Sequence, residues 1–302
     1  MTDKLNVIVT QGPYSTFLEE IAQIDVVSGI RLNTVMPIKE GDLLDRLKII
    51  KSKVSDKRLF IDLKTRQLRI TEFANTPYTS VKISHKIKAR TPITAYFDNG
   101  NITGKIVEID GNKLILEDYV GRMLGPGESV NIIDESLEYL DGNFFTERDM
   151  EYIETSKKAG IDGFMLSYVQ KKEDIDALKK LYSGSVVMSK IEDKKGLKNL
   201  KEITANSDYI LAGRGDLFTE LDYPHEIVNA LKYIYHTAEE KAVVGSRMFQ
   251  SLIKFSSPSC SDIMDIAFLK DIGYRGFLIG DDICFKKEPL IRALNIFKAI
   301  FR

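Results

Sequence analysis

Apolar residues fall along this chain in two rhythms. Short β-branched runs read as strands: NVIVT (6–10), DVVSGIRL (25–32), RLFIDLK (58–64), GFMLSYV (163–169), VVMSKI (186–191), YILAG (209–213), AVVGS (242–246) and GFLIG (276–280). Between them, apolar positions recur at i, i+3, i+4 and i+7, as in EGDLLDRLKIIKSKV (40–54), EDIDALKKLY (173–182) and EPLIRALNIFKAI (288–300). That spacing gives helices with one buried face. Eight strands, each followed by a helix or an insertion, match the count of a TIM (β/α)8 barrel. A doubly wound α/β sheet is the competing arrangement.

The rhythm breaks once. From residue 70 to about 142, SVKISHKIKA, NITGKIVEI and NKLILEDYV alternate apolar with polar, and Asp98-Asn99-Gly100 and Asp110-Gly111 supply turn signals. This pattern predicts a small antiparallel β domain inserted after the third strand. Residues 1–69 and 143–302 then form the barrel, and residues 70–142 the insert. The barrel resumes at TERDMEYIETSKKAG (146–160), where Thr146 is the expected N-cap.

Composition narrows the partners. The chain has 302 residues, 43% of them hydrophobic and 29% charged, enough for a sizeable core. Forty-three basic and 44 acidic residues leave a net charge of −1, which supports neither a nucleic-acid nor a membrane partner. Cys260 and Cys284 stand in no metal or redox spacing and are expected to be free and buried. The N-terminal apolar run is too short for a secretory signal, and no segment reaches bilayer length, so the expected location is cytoplasmic. Arg214-Gly215-Asp216 therefore has no extracellular setting in which to act as an adhesion tripeptide. His85, His225 and His236 match no ligand spacing, and Lys82, Lys86, Lys88 and Arg90 read as a solvated strand face.

In a TIM barrel the reactive groups sit at the C-terminal ends of strands. Those ends carry Arg31, Asn33, Asp62, Lys64, Lys190, Glu192, Asp216 and Ser246. Lys190 and Glu192 have the same parity on one strand, so both can face the barrel axis. Two carboxylates suit a hard divalent ion such as Mg²⁺ or Mn²⁺, and the cations suit an anionic substrate.

These residues stand in segments that resemble the pyruvate kinase family. SKIEDKKG (189–196) is similar to its SKIEN-x-x-G, and GRGDL (213–217) to its ARGDL. TQGPYS (10–15) resembles the TxGPxS turn, Arg31-Leu32-Asn33 the RxN strand end, and DLKTRQLR (62–69) the DTKGPEIR stretch. FTERD (145–149) resembles LTEKD, and GSRMFQSLIK (245–254) resembles ATQMLESMIK. The matches keep the family's order and span essentially the whole chain.

The resemblance implies a TIM barrel with a small inserted antiparallel β-barrel lid, and it implies roles by position. Glu192 and Asp216 bind Mg²⁺, Lys190 stabilises the transferring phosphoryl group and the enolate, and Arg31 binds phosphate. Gly215 and Ser246 contact the pyruvyl end, with Ser246 where the family carries Thr; Arg69 joins the substrate-binding set.

The departures are local. Asn33 and Asp62 remain from the family's potassium site, but Val35 and Leu63 replace oxygen ligands with hydrocarbon and Gln67 replaces a Glu, so no potassium site is expected. On the nucleotide side Met36 replaces His and Glu128 replaces a phosphate-facing Lys, which leaves the use of ADP open. Gln170 replaces Arg, Tyr168 replaces Phe in a packing position, and the family's C-terminal domain is not expected in this chain. Three readings follow for a substrate such as phosphoenolpyruvate, pyruvate or a related keto acid. They are a kinase; an Mg²⁺-dependent enzyme of enolate chemistry that has abandoned ADP; and a binding protein without turnover. Oligomeric state stays open.

Overall fold

The computed structural model describes residues 5–39, 41–142 and 144–302. Glu40, which opens the helix expected at 40–54, and Asn143, the expected return point to the barrel, lie outside the described residues.

Eight parallel strands close into a barrel: β1 (Asn6–Gln11), β2 (Val27–Asn33), β3 (Arg58–Leu63), β4 (Gly163–Leu166), β5 (Val186–Ile191), β6 (Tyr209–Gly213), β7 (Ala242–Gly245) and β8 (Gly276–Ile279). Closure comes from β1, which pairs with β8 through Val9 and Ile279 and with β2 through Thr10 and Arg31. This contact excludes the doubly wound alternative, whose sheet edges stay open.

Period two divides each strand between helices and barrel interior. Val7, Ile30, Ile61, Phe164, Val187, Ile210, Val244 and Phe277 belong to the main core with the surrounding helices. Ile8, Phe60, Met165, Met188, Leu211, Val243 and Leu278 form a separate apolar cluster inside the barrel.

The helix Glu147–Ala159 shows sequence setting local structure. Thr146 Oγ1 accepts from the Asp149 amide at 3.1 Å, and Asp149 returns a bond to the Thr146 amide at 3.0 Å. Asp149 also accepts from the amides of Lys64 (2.9 Å) and Thr65 (3.0 Å), fixing the loop after β3.

Between β3 and that helix lies an open, half-barrel antiparallel sheet. Its strands run in the order Val81–Lys82, Lys113–Leu116, Ile102–Asp110, Ile93–Phe97 and Val130–Ile132. It has its own core, including Ile83, Phe97, Ile106 and Leu114. The turn at Asp98-Asn99-Gly100 forms with all three residues at positive φ (50°, 54° and 87°) and reaches the barrel. There the Asn99 carbonyl accepts from Arg247 at 3.0 Å and from Thr219 at 3.2 Å, laying the lid sheet over the mouth. Of the basic residues expected on a solvated face, Lys86, Lys88 and Arg90 are exposed, whereas Lys82 is half-buried and pairs with Glu72 at 2.6 Å.

Two expectations about thiols divide. Cys284 is buried, but Cys260, the first residue of the helix Cys260–Ile272, is exposed. Among the described residues no helix is long and apolar enough to cross a membrane.

Candidate active site at the barrel mouth

Two residues above the interior cluster, the strands turn polar. Phe60 is followed by Asp62, Met165 by Ser167, Met188 by Lys190 and then Glu192, and Ile8 by Thr10. Arg31, Asn33, Arg69, Lys190, Glu192, Gly215, Asp216 and Ser246 all line one cavity of about 470 Å³ between barrel and lid sheet. Larger hollows exist, including one of about 650 Å³ at the opposite barrel end, but it lacks this convergence of buried charge, and chemistry rather than size selects the site.

Asp62 and Lys64 are the exceptions among the expected strand-end residues; Lys64 lines a separate hollow beside His85 and Asp149. Asp62 lies wholly buried under the cavity and does not line it. Its carboxylate accepts from Arg31 at 2.5 Å, Lys64 at 2.6 Å and Lys190 at 3.2 Å. Burial opposes its charge, but these three cations hold it well below the usual carboxylate range. Burial likewise opposes the charge on Arg31 and Lys190. Asp62 and Asp281 more than offset it for Arg31, and Asp62 and Glu192 for Lys190, so both stay charged. Lys64 shares only the Asp62 oxygen and faces Arg69, Arg31 and Lys190; burial pushes it down to about 7.

Asp281, just past β8, was not among the expected residues. It accepts from Arg31 at 3.1 Å and from the Asn33 amide at 3.1 Å. The strand-end rule, applied to the eighth strand, would have found it.

Glu192, just past β5, and Asp216, in the first turn of the helix Arg214–Glu220 that follows β6, both face the cavity. Glu192 Oε1 lies 3.1 Å from Lys190 Nζ, and Oε2 accepts from the Tyr168 amide at 3.0 Å. Tyr168 aims that N–H from a left-handed backbone, φ 49°. Burial, then the charge of Asp216, raises the Glu192 pKa despite Lys190. A Cβ at Gly213 would stand 2.6 Å from Glu192 Cγ, so only glycine there admits this carboxylate. The donor set fits a hard divalent cation of the Mg²⁺ or Mn²⁺ type: two neighbouring carboxylates face open space, one carrying an unfavourable charge. Among the described residues no three His, Cys, Asp or Glu gather at one point. A cation held here would have two protein ligands, Glu192 and Asp216, with the other positions left to water or substrate oxygens.

Asp216 is held by amides. Gln67 Nε2 donates to its Oδ2 at 2.8 Å, and Asn131 Nδ2 to its Oδ1 at 3.2 Å. A glutamate at position 67 would set a third carboxylate there; the glutamine supplies a donor instead. The Gln67 carbonyl accepts in turn from Arg69 Nε at 3.1 Å, and Arg69 Nη1 donates to the Gly127 carbonyl at 2.7 Å.

Arg214 braces the loop after β7. Its guanidinium donates to the Ser246 carbonyl at 2.7 Å and pairs with Asp265 at 2.7 Å. This leaves the Ser246 hydroxyl beside Gly215, with no hydrogen bond to a described residue.

The opposite flank differs. Leu63 is fully buried, and Val35 packs at Gly127. Glu128 lines the cavity, but its charge is not solitary: Arg122 binds it at 2.6 and 2.9 Å and the Gly125 amide at 2.6 Å. The repulsion expected of Glu128 toward an anion is therefore reduced by an ion pair that sequence spacing did not reveal. His85 is buried against Tyr139, with ring centroids 5.5 Å apart, and has a packing role.

The fold and the site define a TIM-barrel protein with an inserted β lid and a mouth that bears both cationic and carboxylate side chains. The model of the pyruvate kinase barrel domain matches residues 71–269. The chain is 31% identical to the pyruvate kinase of Thermoplasma acidophilum, over 98% of this chain and 57% of that protein. It is 27% identical to the pyruvate kinase of Methanocaldococcus jannaschii, over 98% of this chain and 69% of that protein. It is 28% identical to that of Thermotoga maritima, over 65% of this chain and 43% of that protein. The chain belongs to the pyruvate kinase family, and it spans little more than half the length of the first of these relatives.

Proposed function

We propose that this protein transfers the phosphoryl group of phosphoenolpyruvate to ADP through an enolate, with Mg²⁺ or Mn²⁺ held by Glu192 and Asp216. In this reading residues 70–142 are the lid of a catalytic barrel formed by 1–69 and 143–302, acting in the cytoplasm. The observation that carries it is the convergence of Arg31, Lys190, Glu192, Asp216 and Ser246, from four strands and their following loops, on one cavity. Phosphoryl transfer asks chiefly for positioning and charge neutralisation.

Arg31, kept charged by Asp62 and Asp281, would take the phosphate. Lys190, pre-aligned by Asp62, Glu192 and a 2.8 Å bond to Ser167, would neutralise charge developing on the transferring group and the enolate oxygen. The unengaged Ser246 hydroxyl, beside Gly215, would pass a proton at the pyruvyl end. Arg69, which has no carboxylate partner among the described residues, adds positive charge at the lid side. The divalent cation, when bound, supplies Lewis-acid neutralisation of substrate oxygens. No potassium requirement is expected, because Val35 and Leu63 offer hydrocarbon where the family has oxygen.

The same flank favours a second reading. Met36 and Glu128 leave the nucleotide side depleted of its family groups, so the enolate chemistry would serve a pyruvyl or oxaloacetate-like substrate without ADP, or the site would bind without turnover. Phosphorus NMR of phosphoenolpyruvate with Mg²⁺, with and without ADP in potassium-free buffer, separates them. ATP formed only with ADP is the expected outcome. Free phosphate without ATP, or untouched phosphoenolpyruvate with turnover of oxaloacetate, would replace the kinase reading.

A further inference from the structure

Asn131 lies on the lid strand Val130–Ile132, yet every hydrogen bond of its side chain goes to the barrel. The two hydrogens of its amide nitrogen are shared among three acceptors, Tyr168 Oη at 2.6 Å, Glu220 Oε1 at 3.0 Å and Asp216 Oδ1 at 3.2 Å. Its carbonyl oxygen is buried with no partner. An orphaned buried acceptor is unfavourable. Turning the amide over would be worse, because its oxygen would then face the Asp216 carboxylate, which would lose this donor. Asp216 therefore fixes the orientation, and the unsatisfied carbonyl is what docking this strand entails.

The two candidate metal carboxylates differ in what holds them. Glu192 is secured by the barrel alone, through Lys190 and the Tyr168 amide. Asp216 depends on Gln67 at the stretch leading into the lid and on Asn131 within the lid. Tyr168 joins the two arrangements, its N–H on Glu192 and its hydroxyl on Asn131. A phenylalanine there would leave Asn131 without its shortest bond.

We propose that Asn131 is a positioning residue through which the lid strand sets Asp216 for a divalent cation, so that lid docking and cation binding strengthen each other. Each effect must appear in the other's equilibrium. The inference rests on the reading that Glu192 and Asp216 hold the cation. Groups that orient a metal ligand typically change affinity about 10- to 100-fold when removed.

The test uses Mn²⁺ binding to the full chain, followed by electron paramagnetic resonance, in wild type and in D216N, N131A and Y168F. Wild type should bind and D216N should not. N131A should bind about tenfold more weakly, and Y168F about threefold, the effect of one neutral hydrogen bond. Mn²⁺ should also slow amide exchange in Val130–Ile132 of wild type and fail to do so in N131A. Should N131A not fold, Y168F carries the decision. Wild-type Mn²⁺ affinity in both N131A and Y168F, with binding lost in D216N, would overturn the role of Asn131 and leave the metal site standing. No Mn²⁺ binding by wild type, or undiminished binding by D216N, would remove the metal site and this inference with it.

Discussion

Two layers of the barrel interior sit one pleat apart and behave as different materials. The lower layer, Ile8, Phe60, Met165, Met188, Leu211, Val243 and Leu278, is apolar and buried. The upper layer puts Thr10, Asp62, Ser167 and Lys190 on the same strands, equally buried. The lower layer is held by non-directional packing, so shape and volume decide its stability. The upper is held by charge compensation, in which each group is tolerable only because of specific partners on other strands. The contrast teaches where this barrel is replaceable and where it is not.

The sharpest way to break the upper layer is Asp62→Asn. It keeps the shape but leaves Arg31, Lys64 and Lys190 without their shared anion. Chemical denaturation should show a loss of about 3–5 kcal/mol, the usual effect of stranding buried charge. A loss under about 1 kcal/mol would mean that water compensates these cations and that the layers do not differ in kind.

Glu220 offers the reverse case, a buried carboxyl without a cation. Burial pushes it up to about 8, with Asp193 and Asp216 adding to the effect against its hydrogen bond from Asn131. The folded protein therefore holds this proton more tightly than the unfolded chain, whose carboxyl has the ordinary value of 4.5. Its stabilising contribution is full below that value and is lost as pH rises toward 8. Between pH 5 and 7.5 the wild type should lose about 3 kcal/mol from this group, at roughly 1.4 kcal/mol per pH unit. Glu220→Gln should remove that slope in denaturant titrations run with chelator. Parallel curves for the two proteins would show that Glu220 ionises freely in the fold.

Met188→Leu probes the lower layer, two residues from Lys190. A volume-conserving exchange should cost less than about 1.5 kcal/mol and leave the pH profile of stability unchanged. An effect as large as that of Asp62→Asn would erase the comparison.

The open lid sheet shows why some elements were easier to read than others. VVMSKI and YILAG coincide with β5 and β6, and the other strands shift by no more than a few residues at their ends. Thr146 and the turn at Asp98-Asn99-Gly100 were legible because a cap and a tight turn are specified by neighbours in sequence. The mouth was legible as a set of strand ends, since barrel geometry sends them to one face. Its wiring was not. Asp62 reads as an ordinary strand-end carboxylate until β2 and β5 bring two of its three cations.

What the sequence determined by itself was the order of strands and helices, the place of the insertion, and the strand-end parity that aims Lys190 and Glu192 inward. These follow from periods of two and 3.6 residues, which are local. Tertiary structure decided the closure of β1 on β8, the burial of Asp62 beneath the cavity, the Arg122 pair that tempers Glu128, and the reach of Asn131 from lid to Asp216. Closure and the Asp62 and Asn131 contacts join residues far apart in the chain. In the Arg122–Glu128 pair, a turn returns the chain on itself. In each case the energy depends on distance and burial, quantities that spacing along the sequence does not contain.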